Sequence, residues 1–554
     1  MRLESEPNSS AAPAASDAAS NQDIRYWPVL ANLLLTTAAL LYIWLQHDGQ
    51  RADLVIATFS VATLSSIWFL IWLLFRSRIS PRPKWITFSI ICGLAAAAAG
   101  SFKIKGYTGD LVPIIRFRWS GDSSSGHANL NGTSAKSGRL VEARFDPADY
   151  RWPQFLGPER NGVVRNLKLD PDWKSRPPIE IWRRSIGEQA GFSSFAVDAE
   201  RVFTQQQEGE RELVVCYDLQ TGAQRWKYSH AARYESELGG VGPRATPAVS
   251  VGRIYAYGAT GILSCLDANS GKMFWRRNVV DEHTAEVLEW GNSCSPLLFE
   301  NLVIVSTGAR RSGSSTSDNF ATLAAYDKTT GDPVWSTGSD SAGYASPVFL
   351  RLAGVPQIVM VNAGSVTGHE PKTGVVLWTT DLEAESPSVS QPVACADDRL
   401  LICKGYGVGG KLIQILRHDS GAFDAVTKWK WPRVMQTKYT SAVIHGGYAY
   451  ALSDGKPECI DVATGKRRWK ARGDYNHGQI LLIGDLILVQ CEGGDVALVE
   501  ANSKKLVEVA RFTAFDYRTW NSPVVAGNLL LVRNDQEIAC FALPMISGPN
   551  AVKR

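Results

Sequence analysis

Apolar positions along this chain fall into two regimes. Up to residue 102 they gather in three long stretches, Trp27 to Leu45, Leu54 to Phe75 and Trp85 to Phe102. Each has the length of a helix crossing the ~30 Å hydrocarbon layer of a bilayer. Beyond residue 178 the pattern changes to short apolar runs, such as Arg253-Ile-Tyr-Ala-Tyr, Leu302-Val-Ile-Val-Ser, Gln357-Ile-Val-Met-Val and Leu486-Ile-Leu-Val-Gln. Their length and β-branched content predict buried strands rather than helices. Turn signals punctuate these strands at regular intervals.

The punctuation repeats. Asp218-Leu-Gln-Thr-Gly leads to Trp226, Asp267-Ala-Asn-Ser-Gly to Trp275, Asp327-Lys-Thr-Thr-Gly to Trp335, Glu370-Pro-Lys-Thr-Gly to Trp378 and Asp461-Val-Ala-Thr-Gly to Trp469. The acid can accept hydrogen bonds from the backbone two residues on, and glycine supplies the positive φ of the turn. The tryptophan is expected on an outer strand, wedged between neighbouring blades. Strand-opening signals occur at Ser194-Phe195, Thr246-Pro247, Ser295-Pro296, Ser346-Pro347, Gln391-Pro392, Thr440-Ser441, Gly478-Gln479 and Ser522-Pro523. Short-strand repeats of ~40–50 residues predict an all-β fold, an eight-bladed β-propeller of four-stranded antiparallel blades, preceded by an α-helical transmembrane region.

The last repeat ends at Cys540-Phe-Ala-Leu543 without a tryptophan strand, while an orphan strand, Ile179-Glu-Ile-Trp182, precedes the first. The early strand is expected to complete the eighth blade and so remove open sheet edges. Two copies are degenerate: Asp419 to Trp429 is stretched, and Glu500 to Arg511 lacks a tryptophan. The expected organisation is a disordered cytoplasmic tail (1–23), three transmembrane helices (24–103), a flexible tether (104–150), a lead-in segment (151–177), the propeller (178–543) and a C-terminal tail (544–554).

Charge gives the membrane region a direction. The second connection, Arg76-Ser-Arg-Ile-Ser-Pro-Arg-Pro-Lys84, is basic and has no acid, whereas His47 to Asp53 holds only Arg51 as a strong base. The positive-inside rule makes the second connection cytoplasmic, so three spans put the propeller outside, on the periplasmic side of an inner, cytoplasmic membrane. The polar first 23 residues lack the apolar region of a secretory leader. Gly121 to Gly138 has tether composition, and Pro113-Ile-Ile-Arg-Phe-Arg-Trp119 before it is an aromatic-basic patch suited to the membrane surface or to packing on the propeller.

The net charge of +4 over 554 residues gives no basic stripe and no case for nucleic acid as a partner. The nine cysteines form no CxxC motif, and no Cys/His cluster exists, so no metal is expected. Cys216, Cys265, Cys459 and Cys540 share one repeat register and read as small core residues, while Cys395 and Cys403 are near enough to meet across a hairpin. The turn acids repeat and therefore read as structural, not catalytic. Gly405-Tyr-Gly-Val-Gly-Gly410 precedes a strand and reads as a turn, not a phosphate loop.

Positions that differ between repeats at a shared register are free to serve binding. Just before the strand-opening residues the chain reads Phe192, Arg244, Ser293, Tyr344, Val389, Lys438, Asn476 and Trp520, and one place later Ser193, Ala245, Cys294, Ala345, Ser390, Tyr439, His477 and Asn521. These residues link one blade to the next and should surround one mouth of the central channel. The binding candidates drawn from them and their neighbours are Arg244, Glu289, Trp290, Asn292 and Tyr344 in one half, and Lys438, Tyr439, His477, Trp520 and Asn521 in the other. No residue is assigned to catalysis.

The repeated acid-x-x-Thr-Gly-x-x-x-Trp unit resembles the quinoprotein (PQQ) dehydrogenase-like propeller repeat over residues 178–543, and membrane-anchored BamB-like propellers are closest in kind. Trp152-Pro-Gln-Phe-Leu-Gly-Pro158, Gly242-Pro-Arg-Ala-Thr-Pro247, Trp290-Gly-Asn-Ser-Cys-Ser-Pro296, Gly343-Tyr-Ala-Ser-Pro347 and Gly478-Gln-Ile-Leu481 add to the likeness. The resemblance implies one of two functions. The first is a scaffold that binds proteins of the cell envelope and needs no cofactor. The second is a membrane-bound dehydrogenase of alcohols or sugars, using PQQ with calcium. Such enzymes typically carry adjacent cysteines, calcium ligands and a catalytic aspartate; this chain has no Cys-Cys pair and no acidic set that maps onto those motifs.

Overall fold

Short strands ending in a turn acid must pair locally, and in the computed structural model they do so as a succession of antiparallel meanders. The structure describes residues 26–46, 51–77, 79–119, 150–187, 190–313, 319–383 and 386–546. The expected tail 1–23, the tether composition at 121–138 and most of the tail 544–554 lie outside these residues. The chain divides into two compact units: one of residues 1–105 and 115–122, the other of residues 106–114 and 123–554.

In the first unit, Trp27–Leu45, Arg51–Arg76 and Pro81–Ser101 are three helices long and apolar enough to cross a membrane. Polar side chains tie the first two together. Asn32 Nδ2 and Thr36 Oγ1 both donate to Ser65 Oγ, at 2.9 and 2.8 Å, and Trp44 Nε1 donates to Thr58 Oγ1 at 3.2 Å. Such bonds between helices satisfy groups for which hydrocarbon offers no partner.

After the third helix the chain does not pass straight into a tether. Phe102–Tyr107 and Pro113–Phe117 pair as a two-stranded hairpin. Its apolar residues alternate, as a strand requires, and bring Phe102 edge-on to Phe117 at 5.5 Å. Tether composition begins only beyond it.

The second unit is built mainly from sheets of four or five strands, with two short two-stranded pairs besides. The first, Ala196–Asp198, Arg201–Glu208, Arg211–Asp218 and Gln224–Ala231, gains Arg151–Trp152 beside its opening strand. Further meanders begin at Ala248, Leu297, Val348, Val393 and Val443. The one opening at Gln479 gains Val163–Val164, pairing in parallel with its first strand. In the last sheet, Val524–Ala526, Leu529–Arg533 and Glu537–Ala542 are joined by Ile179–Ser185, with Cys540 opposite Trp182.

The repeated words of the sequence lock each sheet to the next. Asp267 Oδ1 accepts from the Asn269 and Ser270 amides at 3.0 and 2.7 Å and from Ser270 Oγ at 2.8 Å, which holds its carboxyl below the usual carboxylate range. Each tryptophan faces a small or apolar residue of its own sheet: Trp226 opposite Cys216, Trp275 opposite Cys265, Trp335 opposite Ala325 and Trp469 opposite Cys459. The rings of Trp226, Trp275 and Trp335 then lie over the turn glycine of the following sheet. A Cβ on Gly271 (φ +72°) would sit 2.5 Å from Trp226, and one on Gly331 (φ +79°) 2.6 Å from Trp275. The indole N–H of Trp226 donates to Ala268 O, and that of Trp275 to Lys328 O, both at 3.1 Å. The glycine is thus required twice, for a positive φ and for indole contact. The register thiols are free and buried beneath these rings, and Cys395 and Cys403 are free as well.

Candidate functional site

The loops that carry the chain from the last strand of one sheet to the first strand of the next bring most of the predicted binding residues together. Trp520 is central. Its ring lies 5.3 Å from Phe192 and 5.1 Å from Tyr439, and the Arg518 guanidinium covers it at 4.3 Å. Tyr439 meets the edge of His477 at 5.5 Å. Gln479 Nε2 pins the backbone beneath, donating to Tyr439 O at 2.7 Å and Trp520 O at 3.1 Å. Asn521 is buried and donates to Ser193 O at 2.8 Å, crossing from the end of the chain's β region to its start.

Arg244 joins this group to a second. Its guanidinium lies 6.0 Å from the Phe192 ring and 4.8 Å from Tyr234, and it donates to the carbonyls of Gly239 and Gly240 at 2.8 and 2.9 Å. Beyond Gly239 stands Trp290, stacked on Tyr344 at 5.4 Å, whose hydroxyl accepts from the Trp290 amide at 3.2 Å. Glu289 is exposed at the rim; its carbonyl accepts from Tyr234 Oη. Asn292 departs from the group: it is buried, with Nδ2 directed at Tyr257 Oη, 3.5 Å away. Lys438 is buried too, its ammonium 2.9 Å from Asp454 Oδ1 and 5.5 Å from the Tyr406 ring.

Residues that sequence reasoning passed over complete the cluster. Asp454, Glu492 and Asp535 all follow the second strand of their sheets, and that shared place was a legible signal. Glu492 is buried and accepts from Trp520 Nε1 at 2.7 Å. The other arrivals come from far upstream. The tip of the hairpin after the third helix, Thr108-Gly-Asp-Leu111, lies within the second unit and reaches this cluster. Gly109 N donates to Glu492 Oε1 at 2.6 Å, Asp110 Oδ1 lies 2.8 Å from His477 Nε2, and Arg518 donates to Tyr107 O at 2.8 Å.

The donor atoms of Asp110, Asp454 and His477 fall within 4.8 Å of one another, a carboxylate-carboxylate-imidazole set of the kind that ligates divalent cations. The Lys438 ammonium already provides a positive charge to Asp454. Asp110 lies outside the repeats, which is why no metal-ligand spacing was visible in them.

At the far ends of the opening strands a cavity of about 950 Å³ is walled by Leu298, Phe299, Phe349, Leu350, Val393 and Ile444, together with the lead-in residues Val163 and Arg165. Arg160 is buried beside it, donating to Ser295 O and Pro296 O, both at 2.9 Å.

Between the first two sheets, Glu212 and His230 are both buried, their Oε2 and Nε2 3.6 Å apart. Burial pushes the Glu212 carboxyl up to about 7 and the His230 imidazole down to about 4. At neutral pH the imidazole therefore offers no charge to the carboxylate. The folded protein keeps the Glu212 proton up to about pH 7, while the unfolded chain releases it near 4.5, so the Glu212 contribution to stability falls as pH rises through that window. His230, neutral in the folded protein down to about pH 4 but titrating near 6.5 when unfolded, contributes a rise between those values that opposes it. Glu212→Gln should remove the falling contribution, leaving the rise from His230, and raise the unfolding free energy at pH 8 by roughly 3 kcal/mol, measured as denaturant midpoints from pH 4 to pH 8. A slope unchanged in the variant would remove Glu212 as its source.

Residues 210–471 match the protein family described as outer membrane protein assembly factor BamB. Among solved structures, a europium-containing methanol dehydrogenase superposes at TM-score 0.52 with 12% identity, covering 71% of this chain and 98% of its own. Quinohemoprotein alcohol dehydrogenase from Comamonas testosteroni does so at 0.52 with 12% identity, covering 74% and 83%. BamB from Moraxella catarrhalis is similar at 0.48 with 15% identity, covering 67% and 99%. No curated protein matches the chain. At such identities the likeness to the dehydrogenases is one of fold. Together with the acid-Thr-Gly-Trp interlock, the family match over residues 210–471 and the fold shared with the dehydrogenases make this chain similar to the PQQ-like β-propeller proteins.

Proposed function

We propose that this chain is a membrane-anchored scaffold of the cell envelope: its sheets close into one eight-bladed ring held on the periplasmic side of the inner membrane, and its channel mouth binds polypeptide. The observation that carries this reading is that the mouth already holds polypeptide. A backbone N–H, a backbone C=O and a carboxylate of the hairpin tip are each met by a dedicated group, Glu492, Arg518 and His477. The direction rests on the basic connection Arg76–Lys84, which belongs on the cytoplasmic side.

The competing reading is a PQQ-dependent dehydrogenase. PQQ is a planar tricarboxylate and needs cations turned toward a flat slot. What speaks against a fit is the engagement of the three described cations of the mouth. Arg244 donates to glycine carbonyls, Lys438 pairs with Asp454, and Arg518 holds Tyr107 O while lying over Trp520. The slot over Trp520 is filled by that guanidinium and by Phe192 and Tyr439.

Two measurements test the proposal. A photo-crosslinking residue placed at Tyr344 should capture an envelope protein in intact membranes, and Arg244→Ala or Trp520→Ala should lower the yield several-fold. Titrating the purified full-length chain with PQQ and calcium should give neither stoichiometric quinone binding nor dye reduction with alcohols or sugars. Turnover would overturn the scaffold reading.

A further inference from the structure

We propose that the mouth is a receptor for a Gly-Asp turn, and that residues 107–112 are its occupant in cis, exchangeable for the same turn on a partner. The inference rests on the polypeptide-binding reading above and adds the chemistry of the ligand.

The tip is a preformed ligand. Leu111 N donates to Thr108 O and Thr108 N to Val112 O, both at 2.9 Å, and Val112 N donates to Thr108 Oγ1 at 3.1 Å. Leu111 takes a positive φ of 61°, which tightens the turn. The turn's shape is thus set by its own bonds, and a partner segment with the same short sequence can adopt it.

The receptor reads three features. His477, 2% exposed, reads the Asp110 carboxylate; Glu492, 4% exposed, reads the Gly109 N–H; Arg518, 6% exposed, reads the Tyr107 carbonyl. Charge-assisted bonds of this kind, removed from water, are stronger and more geometrically demanding than surface contacts. A fourth feature is steric. A Cβ on Gly109 would lie 2.4 Å from His477 Cδ2 and 2.8 Å from Tyr439 Cε2, so the site accepts glycine and rejects other residues there.

Within the β region Glu492 accepts from Trp520 Nε1 at 2.7 Å and from the His477 amide at 3.4 Å. Its remaining bond is aimed at the Gly109 amide, from another part of the chain. Because the tip is tethered, it competes at an effective concentration on the order of millimolar, so a partner's turn must either exceed that or arrive on a larger interface. The hairpin therefore sets a threshold for occupancy in trans.

The test uses the full-length chain in detergent and a fluorescein-labelled cyclic peptide of sequence Tyr-Thr-Gly-Asp-Leu-Val. Gly109→Val should expel the tip and leave the receptor vacant. By anisotropy the variant should then bind the peptide at least roughly tenfold more tightly than the wild type. Asn in place of the peptide's Asp, or His477→Ala added to Gly109→Val, should abolish that gain. Equal binding by wild type and variant overturns the inference, as does no binding by a variant that keeps the wild-type melting temperature. Should Gly109→Val not fold, hydrogen exchange of residues 107–112 in the wild type decides. Millimolar peptide should speed exchange there and nowhere else in the hairpin, and unchanged exchange overturns the inference. An envelope protein crosslinked through Tyr344 despite no peptide binding refutes the Gly-Asp code alone, whereas quinone turnover refutes the reading beneath it.

Discussion

Trp182→Ala is expected to lower the unfolding free energy by about 3–5 kcal/mol, the usual cost of emptying a buried tryptophan site. The residue joins regions at opposite ends of the sequence. Its strand is the outer strand of the last sheet, paired through Cys540, while its indole N–H donates to Leu219 O in the first sheet at 2.8 Å. Its ring is 7% exposed and lies where a Cβ on Gly222 would approach to 2.6 Å. Truncation removes ring contacts and a donor at once, leaving the Leu219 carbonyl unpaired. Guanidinium titration followed by far-ultraviolet circular dichroism measures the effect. Trp226→Ala provides the comparison: that ring is only partly buried, and its loss should cost visibly less. A Trp182→Ala cost under about 1 kcal/mol would mean that the seam between the last and first sheets contributes little.

Arg533→Ala should cost a similar amount, about 3–5 kcal/mol, for a different reason. Arg533 is 1% exposed, and its guanidinium reaches from the last sheet to the first and to the segment leading into it. It donates to Thr204 Oγ1 at 2.5 Å, Gln205 O at 3.0 Å and Gly191 O at 3.1 Å. Burial holds its pKa down to about 10, so the charge persists at neutral pH, and the carbonyls around it take the place of solvent. Removing the fork leaves several buried acceptors without a donor, so Arg533→Met, although apolar and of similar length, should not rescue stability. Arg533→Lys should recover a minority of the loss, since one ammonium cannot reproduce a planar five-donor fork. Full stability in Arg533→Met would show that packing alone holds the seam.

Much of the fold was legible because the repeat obeys local rules. An acid bonding two amides ahead and a glycine with positive φ depend only on neighbours in sequence, as at Asp267 and Gly271. The stretched copy proves the same point. Trp429 lies farther from its turn than the others, yet it faces Leu412 and donates to Val462 O at 2.9 Å, because a longer hairpin absorbs the extra residues. In the seventh meander, Ala510 faces Leu498 at the tryptophan register, and Trp173 of the lead-in segment packs edge-on against Phe512 of that strand at 5.6 Å. Sequence spacing could not foresee that, since the lead-in carries no repeat.

The candidate site was half legible for a related reason. Tyr439 and His477 share one repeat register and Trp520 stands one place earlier in the next repeat, so periodicity brought them close together. Asn292 was misjudged because the register fixes where the backbone passes but not which way the side chain turns. Asp110 escaped altogether: its contact with His477 spans 367 residues, and no local pattern encodes a pairing at that distance.

The strand Ile179–Ser185 has a consequence for biosynthesis. It leaves the ribosome before every meander, yet its hydrogen-bonding partner, Glu537–Ala542, is made only after the seven meanders that precede the last sheet. Until then it is an unpaired edge, and the groove for Trp182 has only one wall. A product stopped anywhere before Glu537 would keep that edge exposed to proteases and to pairing with other chains, however well its completed meanders had folded. The seam thus acts as a check on synthesis: only a chain translated through Glu537–Ala542 can cover the edge of Ile179–Ser185.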